Sequence, residues 1–161
     1  MMNSKVLEAF NNQINAEFWS AYLYLSMSAD FDNKGLEGFA HWFKLQYHEE
    51  AAHALKFFDH INERGGTVRL QPIKEVPLTW ATPVDVFEEV VKHEQKVTHF
   101  IYGVMDIAVQ EKDYASQNFL RWFIDEQVEE ERIATTILEK LKRVGDRGGL
   151  LYLDKELKKR V

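Results

Sequence analysis

Four long stretches of this chain carry apolar residues at alternating steps of three and four, and that helical period constrains the fold more than any other feature. The first stripe reads Leu7, Phe10, Ile14, Glu17, Ala21, Tyr24, and the second Leu36, Phe39, Phe43, Gln46, Glu50, His53, Phe57. The third reads Phe87, Val90, Glu94, Val97, Ile101, Val104, Ala108, and the fourth Leu120, Phe123, Gln127, Glu130, Ala134, Ile137, Leu141. Asp32-Asn33-Lys34-Gly35, Gly65-Gly66, Thr82-Pro83 and Gly145 punctuate the pattern. Helices are therefore expected over about 5–31, 36–64, 83–110 and 113–145. The tail after Gly148-Gly149, with Leu150, Leu151, Leu153 and Leu157 among charges, reads as a short fifth helix within about 147–160. The expected class is all-α, a single domain over residues 1–161.

The connections fix the topology. Only a few residues separate the first helix from the second and the third from the fourth, so each pair should pack antiparallel. Thr67 to Ala81 contains Pro72 and Pro77 and reads as extended chain. A helix of about 28 residues is ~42 Å long, and fifteen extended residues reach ~50 Å. The crossover can therefore run the length of a bundle and leave helices two and three parallel.

Each stripe is apolar except near its midpoint, where it carries a carboxylate: Glu17, Glu50, Glu94 and Glu130. Helices of similar length bring their midpoints to one level, so the four should converge in a buried layer. Such a layer is costly, because each uncompensated buried charge costs several kcal/mol. No Lys or Arg lies on any stripe. Protonation is one solution. Two divalent cations are the other, with His53 offering a neutral nitrogen and Glu50 the economical bridge. Imidazole with several carboxylates suits Fe(II) better than Mg or Ca. Helix two can also be threaded through Ala40, Tyr47, Ala54 and Ile61, which keeps Glu50 and moves His53 one position off.

Composition removes other classes. There is no cysteine, which excludes thiolate nucleophiles, zinc knuckles, iron–sulfur ligation and disulfides. The formal charge of −6 argues against nucleic acid and anionic membrane as partners. No apolar run approaches a membrane span, and residues 1–10 lack the pattern of a signal peptide. A cytoplasmic protein is expected.

The motifs resemble the non-haem bacterial-type ferritins. The resemblance rests on Glu17 in A-E-F-W-S-A-Y-L-Y, Glu50 and His53 in H-E-E-A-A-H-A, Glu94 in H-E-Q-K-V-T, and Gln127 with Glu130 in F-I-D-E-Q-V-E-E-E. It covers essentially the whole chain and implies a ferritin-like four-helix bundle with a long crossover and a short C-terminal helix. It also implies a ferroxidase that oxidises Fe(II) with O2 or peroxide at a di-iron centre and stores Fe(III) as a mineral in a homo-oligomeric shell of 24 subunits. By the same resemblance the first metal takes Glu17, Glu50 and His53, and the second Glu50, Glu94 and Glu130, with Gln127 beside a bound oxygen species. Glu49, Glu126 and Glu129 are implied as a third iron site, and Tyr24 as an electron donor or hydrogen-bond partner. Ala52 stands where bacterioferritin has the Met that ligates haem, so haem is not expected.

Two other readings compete: a non-catalytic shell subunit, and a di-iron oxygenase acting on an organic substrate. His41, His48, His60, His93 and His99 read as surface or interface residues. Trp19, Tyr22 and Trp80, off the core stripes, read as apolar groups in need of an assembly partner.

Overall fold

The computed structural model describes residues 1–145 and 147–161. Five helices follow one another: α1 (Ser4–Asn33), α2 (Glu37–Glu63), α3 (Pro83–Gln110), α4 (Tyr114–Val144) and α5 (Arg147–Leu157). There is no strand among the described residues. Three of the four long helices start where a side chain satisfies free N–H groups, and α2, which follows Leu36, starts without one. Asn3 accepts from the N–H groups of Lys5 and Val6, Thr82 Oγ1 accepts from Asp85 N with Pro83 at the first position, and Asp113 accepts from Ser116 N. Asp113 is held in turn by Arg64 at 3.0 Å, which ties the end of α2 to the start of α4.

The crossover runs along α1, and α1 itself holds it there. Asn11 Nδ2 donates to the carbonyl of Thr67, Asn15 Nδ2 to those of Gln71 and Pro72, Trp19 Nε1 to that of Glu75, and Ser26 Oγ to that of Pro77. Lys34 Nζ closes the series on Trp80 O. The polar side chains advance up the helix as the linker residues advance in number, so the linker travels in the same direction as α1. Helix α3 therefore begins at the far end and runs parallel to α2. The extended segment has no sheet to satisfy its carbonyls, and these side chains take that role.

Trp19 and Trp80 are half-buried by this same contact, and Trp80 Nε1 also donates to Glu89. The subunit thus covers two of the three aromatic groups expected to need a partner, and leaves only Tyr22 exposed. His93 is corrected as well. It lies against Trp19 and Tyr24 of α1, with Nε2 at 2.8 Å from Ser20 Oγ. Burial holds its pKa down at about 4. His60 is half-buried too, stacked on Phe119 at 4.2 Å between ring centres.

The interior splits into two apolar blocks. One contains Tyr24, Met27, Phe31, Phe39, Phe43, Phe87, Val90, Ile137 and Leu141. The other contains Phe10, Ile14, Phe57, Ile61, Val97, Ile101, Leu120 and Phe123. Phe31 stacks on Phe39 at 4.8 Å and on Phe43 at 5.5 Å, which fixes the first block between α1 and α2. Between the blocks lies the polar layer.

Helix α5 folds back onto α2. Gly148 and Gly149, expected to precede the fifth helix, lie within its first turn. A Cβ at Gly149 would come within 2.5 Å of Val144 Cβ, so glycine permits the sharp return from α4. Gly38 does the same at the far contact, where a Cβ would lie 1.7 Å from the carbonyl oxygen of Asp154. Asp154 Oδ1 also accepts from Phe39 N at 3.0 Å. Replacing Gly38 by Ala should therefore undock α5 at a cost of about 1–3 kcal/mol. Limited proteolysis should then cut within α5 while circular dichroism still reports the intact bundle. Unchanged protease resistance of α5 would contradict this packing.

Candidate metal centre

Midway along the bundle, α1 supplies Glu17, α2 Glu50 and His53, α3 Glu94, and α4 Gln127 and Glu130. All six are between 1% and 5% exposed, which rules out the possibility that these carboxylates reach water past the edges of their stripes. No Lys or Arg is buried among the described residues. Both threadings of α2 are partly right, since Gln46, Glu50 and His53 are buried along with Ala40, Ala54 and Ile61.

Ligand atoms of Glu17, Glu50 and His53 lie within 4.8 Å of one another. His53 Nδ1 is 3.3 Å from Glu50 Oε2, and its ring is wedged edge-on against Trp122 and Phe123 at 5.4 and 5.8 Å. Gln13 Nε2 donates to Glu17 Oε1 at 2.8 Å, while Glu17 Oε2 is buried with no hydrogen-bond partner. A buried orphan carboxylate oxygen calls for a proton or a cation. Across the layer, Tyr24 OH donates to Glu94 Oε1. Gln127 Nε2 lies 3.1 Å from Glu94 Oε2 and 3.2 Å from Thr98 Oγ1. Gln46 Nε2 donates to Glu130 Oε2 at 3.1 Å. The neutral amides orient three of the carboxylates without neutralising them.

The electrostatics follow from that. Burial pushes Glu94 up to about 7, opposed by its bonds to Tyr24 and Gln127. Burial and the charge of Glu94 push Glu130 up to about 8. Glu50 is raised well above the ordinary range by burial and by Glu94, Glu17 and Glu130. Glu17 is raised by burial, against the pull of His53 and Gln13. The Tyr24 phenol is also pushed well up, by burial and by Glu94. A layer of this kind holds protons until a cation replaces them.

The remaining acidic candidates are not gathered in the same way. Among the described residues, only Glu17, Glu50 and His53 form a group of ligand atoms so close together. Glu49 is taken by Arg160, with Nη2 2.8 Å from Oε2. Glu129 is exposed and faces Arg132 at 3.8 Å. Glu126 is half-buried and raised by burial, with His53 pulling it down and Glu129 and Glu49 pushing it up. Gln13 escaped the sequence reading. It lies off the stripe, and its only signal is the four-residue step to Glu17.

The ferritin-like domain family matches residues 7–144, which include the whole layer. The chain belongs to the ferritin family. It is 47% identical to the bacterial non-heme ferritin of Bacteroides fragilis over 99% of this chain and 100% of that protein. It is 41% identical to that of Staphylococcus saprophyticus, over 98% and 95%. In three dimensions it is similar to an open-pore ferritin from the hyperthermophilic archaeon Archaeoglobus fulgidus, with a TM-score of 0.99 and 50% identity over the full length of both chains.

For this ferritin without metal, the raised carboxyls set the pH dependence of stability. Between the ordinary Glu value and about 7 to 8, the native state keeps protons on Glu94 and Glu130 that the unfolded chain has lost. Stability is therefore fully present below the ordinary value and declines as pH rises through that window. The melting temperature of metal-free protein should be higher at about pH 5.5 than at about pH 8.5. A melting temperature that is flat or rises with pH would contradict the burial of this layer.

Proposed function

We propose that this ferritin takes Fe(II) as its substrate, oxidises it with O2 or peroxide at two adjacent positions in the polar layer, and stores Fe(III) as a mineral. The observation that carries this reading is the buried set of four carboxylates and one imidazole, with no Lys or Arg buried among the described residues. Glu17, Glu50 and His53 hold one iron. Glu50, Glu94 and Glu130 hold the other, and Gln127 hydrogen-bonds an oxygen species beside it. Two ferrous ions together supply the two electrons that convert O2 and two protons to H2O2, or H2O2 and two protons to two waters. The protons displaced from the raised carboxyls by incoming iron leave with that exchange. Tyr24, bonded to Glu94, holds that carboxylate in place.

The store is a hollow homo-oligomeric shell, proposed as 24 copies in the cytoplasm, with residues 1–161 acting as one unit. No helix among the described residues is long and apolar enough to cross a membrane. A non-catalytic shell subunit would gain stability by replacing the layer with apolar side chains, which argues against that alternative. The oxygenase reading needs a substrate space, whereas Phe43, Phe57, Phe87 and Phe123 are packed into the two blocks flanking the layer.

Replacing His53 or Glu130 by Ala tests the pairing. If both ions must be present for two-electron transfer, each variant should lose the fast phase of ferrous oxidation by about 100-fold, in line with the 10- to 100-fold losses typical of disturbed metal sites. The double variant should be little worse than either, because the groups act as one unit. Stopped-flow absorbance on assembled protein measures this. Full fast-phase amplitude in folded His53→Ala would refute the assignment.

A further inference from the structure

The C-terminal segment after α5 returns to the bundle beside the candidate centre, and it brings a cation. Arg160 Nη2 pairs with Glu49 Oε2 at 2.8 Å, one residue from Glu50. An ion pair on a half-exposed surface normally contributes little, because ordering two long side chains offsets the attraction. This one is held by other contacts. Arg160 Nη1 donates to the carbonyl of Trp42 at 3.3 Å, and the guanidinium lies over the Trp42 ring at 4.8 Å. The carbonyl of Arg160 accepts from His41 Nε2 at 2.7 Å. Upstream, Lys158 pairs with Glu37 at 2.8 Å, and Asp154 is bonded to Phe39 N. The arginine is thus only 21% exposed and is positioned before it meets Glu49.

We propose that Arg160 is the resident cation of Glu49 and excludes a third metal ion from the acidic face formed with Glu126 and Glu129. The proposal rests on the two-metal reading above and narrows it. Glu49 contributes to the negative field at both Glu126 and Glu130, so it belongs electrostatically to the centre. A divalent ion binding there must displace a guanidinium already held by Trp42, and the two compete for one carboxylate. By linkage, whatever lowers ion affinity at Glu49 through docking of the tail is matched by loosening of the tail when an ion binds.

The test is an anaerobic Zn(II) titration of assembled protein by calorimetry, with Zn(II) as a redox-inert probe. The wild-type chain should bind two ions per subunit tightly. Arg160→Gln keeps a donor for the Trp42 carbonyl but removes the charge. It should bind a third ion, with an apparent Kd roughly tenfold or more below that of any third ion in the wild type. The double variant Arg160→Gln, Glu49→Gln should return to two, which assigns the extra ion to Glu49. Arg160→Lys, which keeps the charge, should stay at two. A third tight ion in the wild type, or only two in Arg160→Gln, would overturn the proposal and leave the two-metal reading standing. Fewer than two ions in the wild type would overturn both.

Discussion

Four carboxylates in a buried layer are the constraint on which the rest of this structure depends. Taking them out of water costs more than packing returns, so the layer persists only if its charge is removed or balanced. Protons do this when no metal is present, which is why Glu94 and Glu130 sit near 7 and 8 rather than in the ordinary carboxyl range. Cations do it better, and the imidazole of His53 adds a donor that does not increase the negative charge. The three glutamine amides have a different part: they fix the direction of Glu17, Glu94 and Glu130 without competing with an incoming ion for charge.

The bundle is arranged so that this costly layer can exist. Two aromatic-rich blocks, one on each side, supply the apolar burial that the layer itself cannot provide. The linker on α1 makes α2 and α3 parallel, which sets the order in which the four midpoints meet. Helix α5 then packs on α2 through Gly38 and delivers Arg160 to the edge of the centre. The burial of Glu50 and the partial exposure of Glu49 next to it follow from their faces on one helix: one points into the layer and the other toward the tail.

The four core stripes were legible in the sequence because a helix has a fixed period and a buried face tolerates few substitutions. The residues of the third and fourth stripes are buried without exception. Leu7, at the start of the first, is only half-buried. In α2 the period left two threadings open. That helix meets α1 on one side and α5 on another, so its buried face is wider than one stripe. The positions that escaped are those whose surroundings come from distant parts of the chain. His93 is covered by Trp19, Ser20 and Tyr24 of α1, which the periodicity of α3 alone does not reveal. Trp19 finds its partner in the carbonyl of Glu75. The pairing of Arg160 with Glu49 depends on where α5 docks, and no local pattern encodes that.

We propose that the layer receives two metal ions with Glu50 shared between them. The most direct measurement is an anomalous difference map from crystals soaked anaerobically in Fe(II), with data on both sides of the iron edge. Two peaks are expected in the layer, one beside Glu17 and His53 and the other beside Glu94 and Glu130, with Glu50 between them. A map with iron only on the outer faces of the bundle, and none between the two apolar blocks, would contradict it.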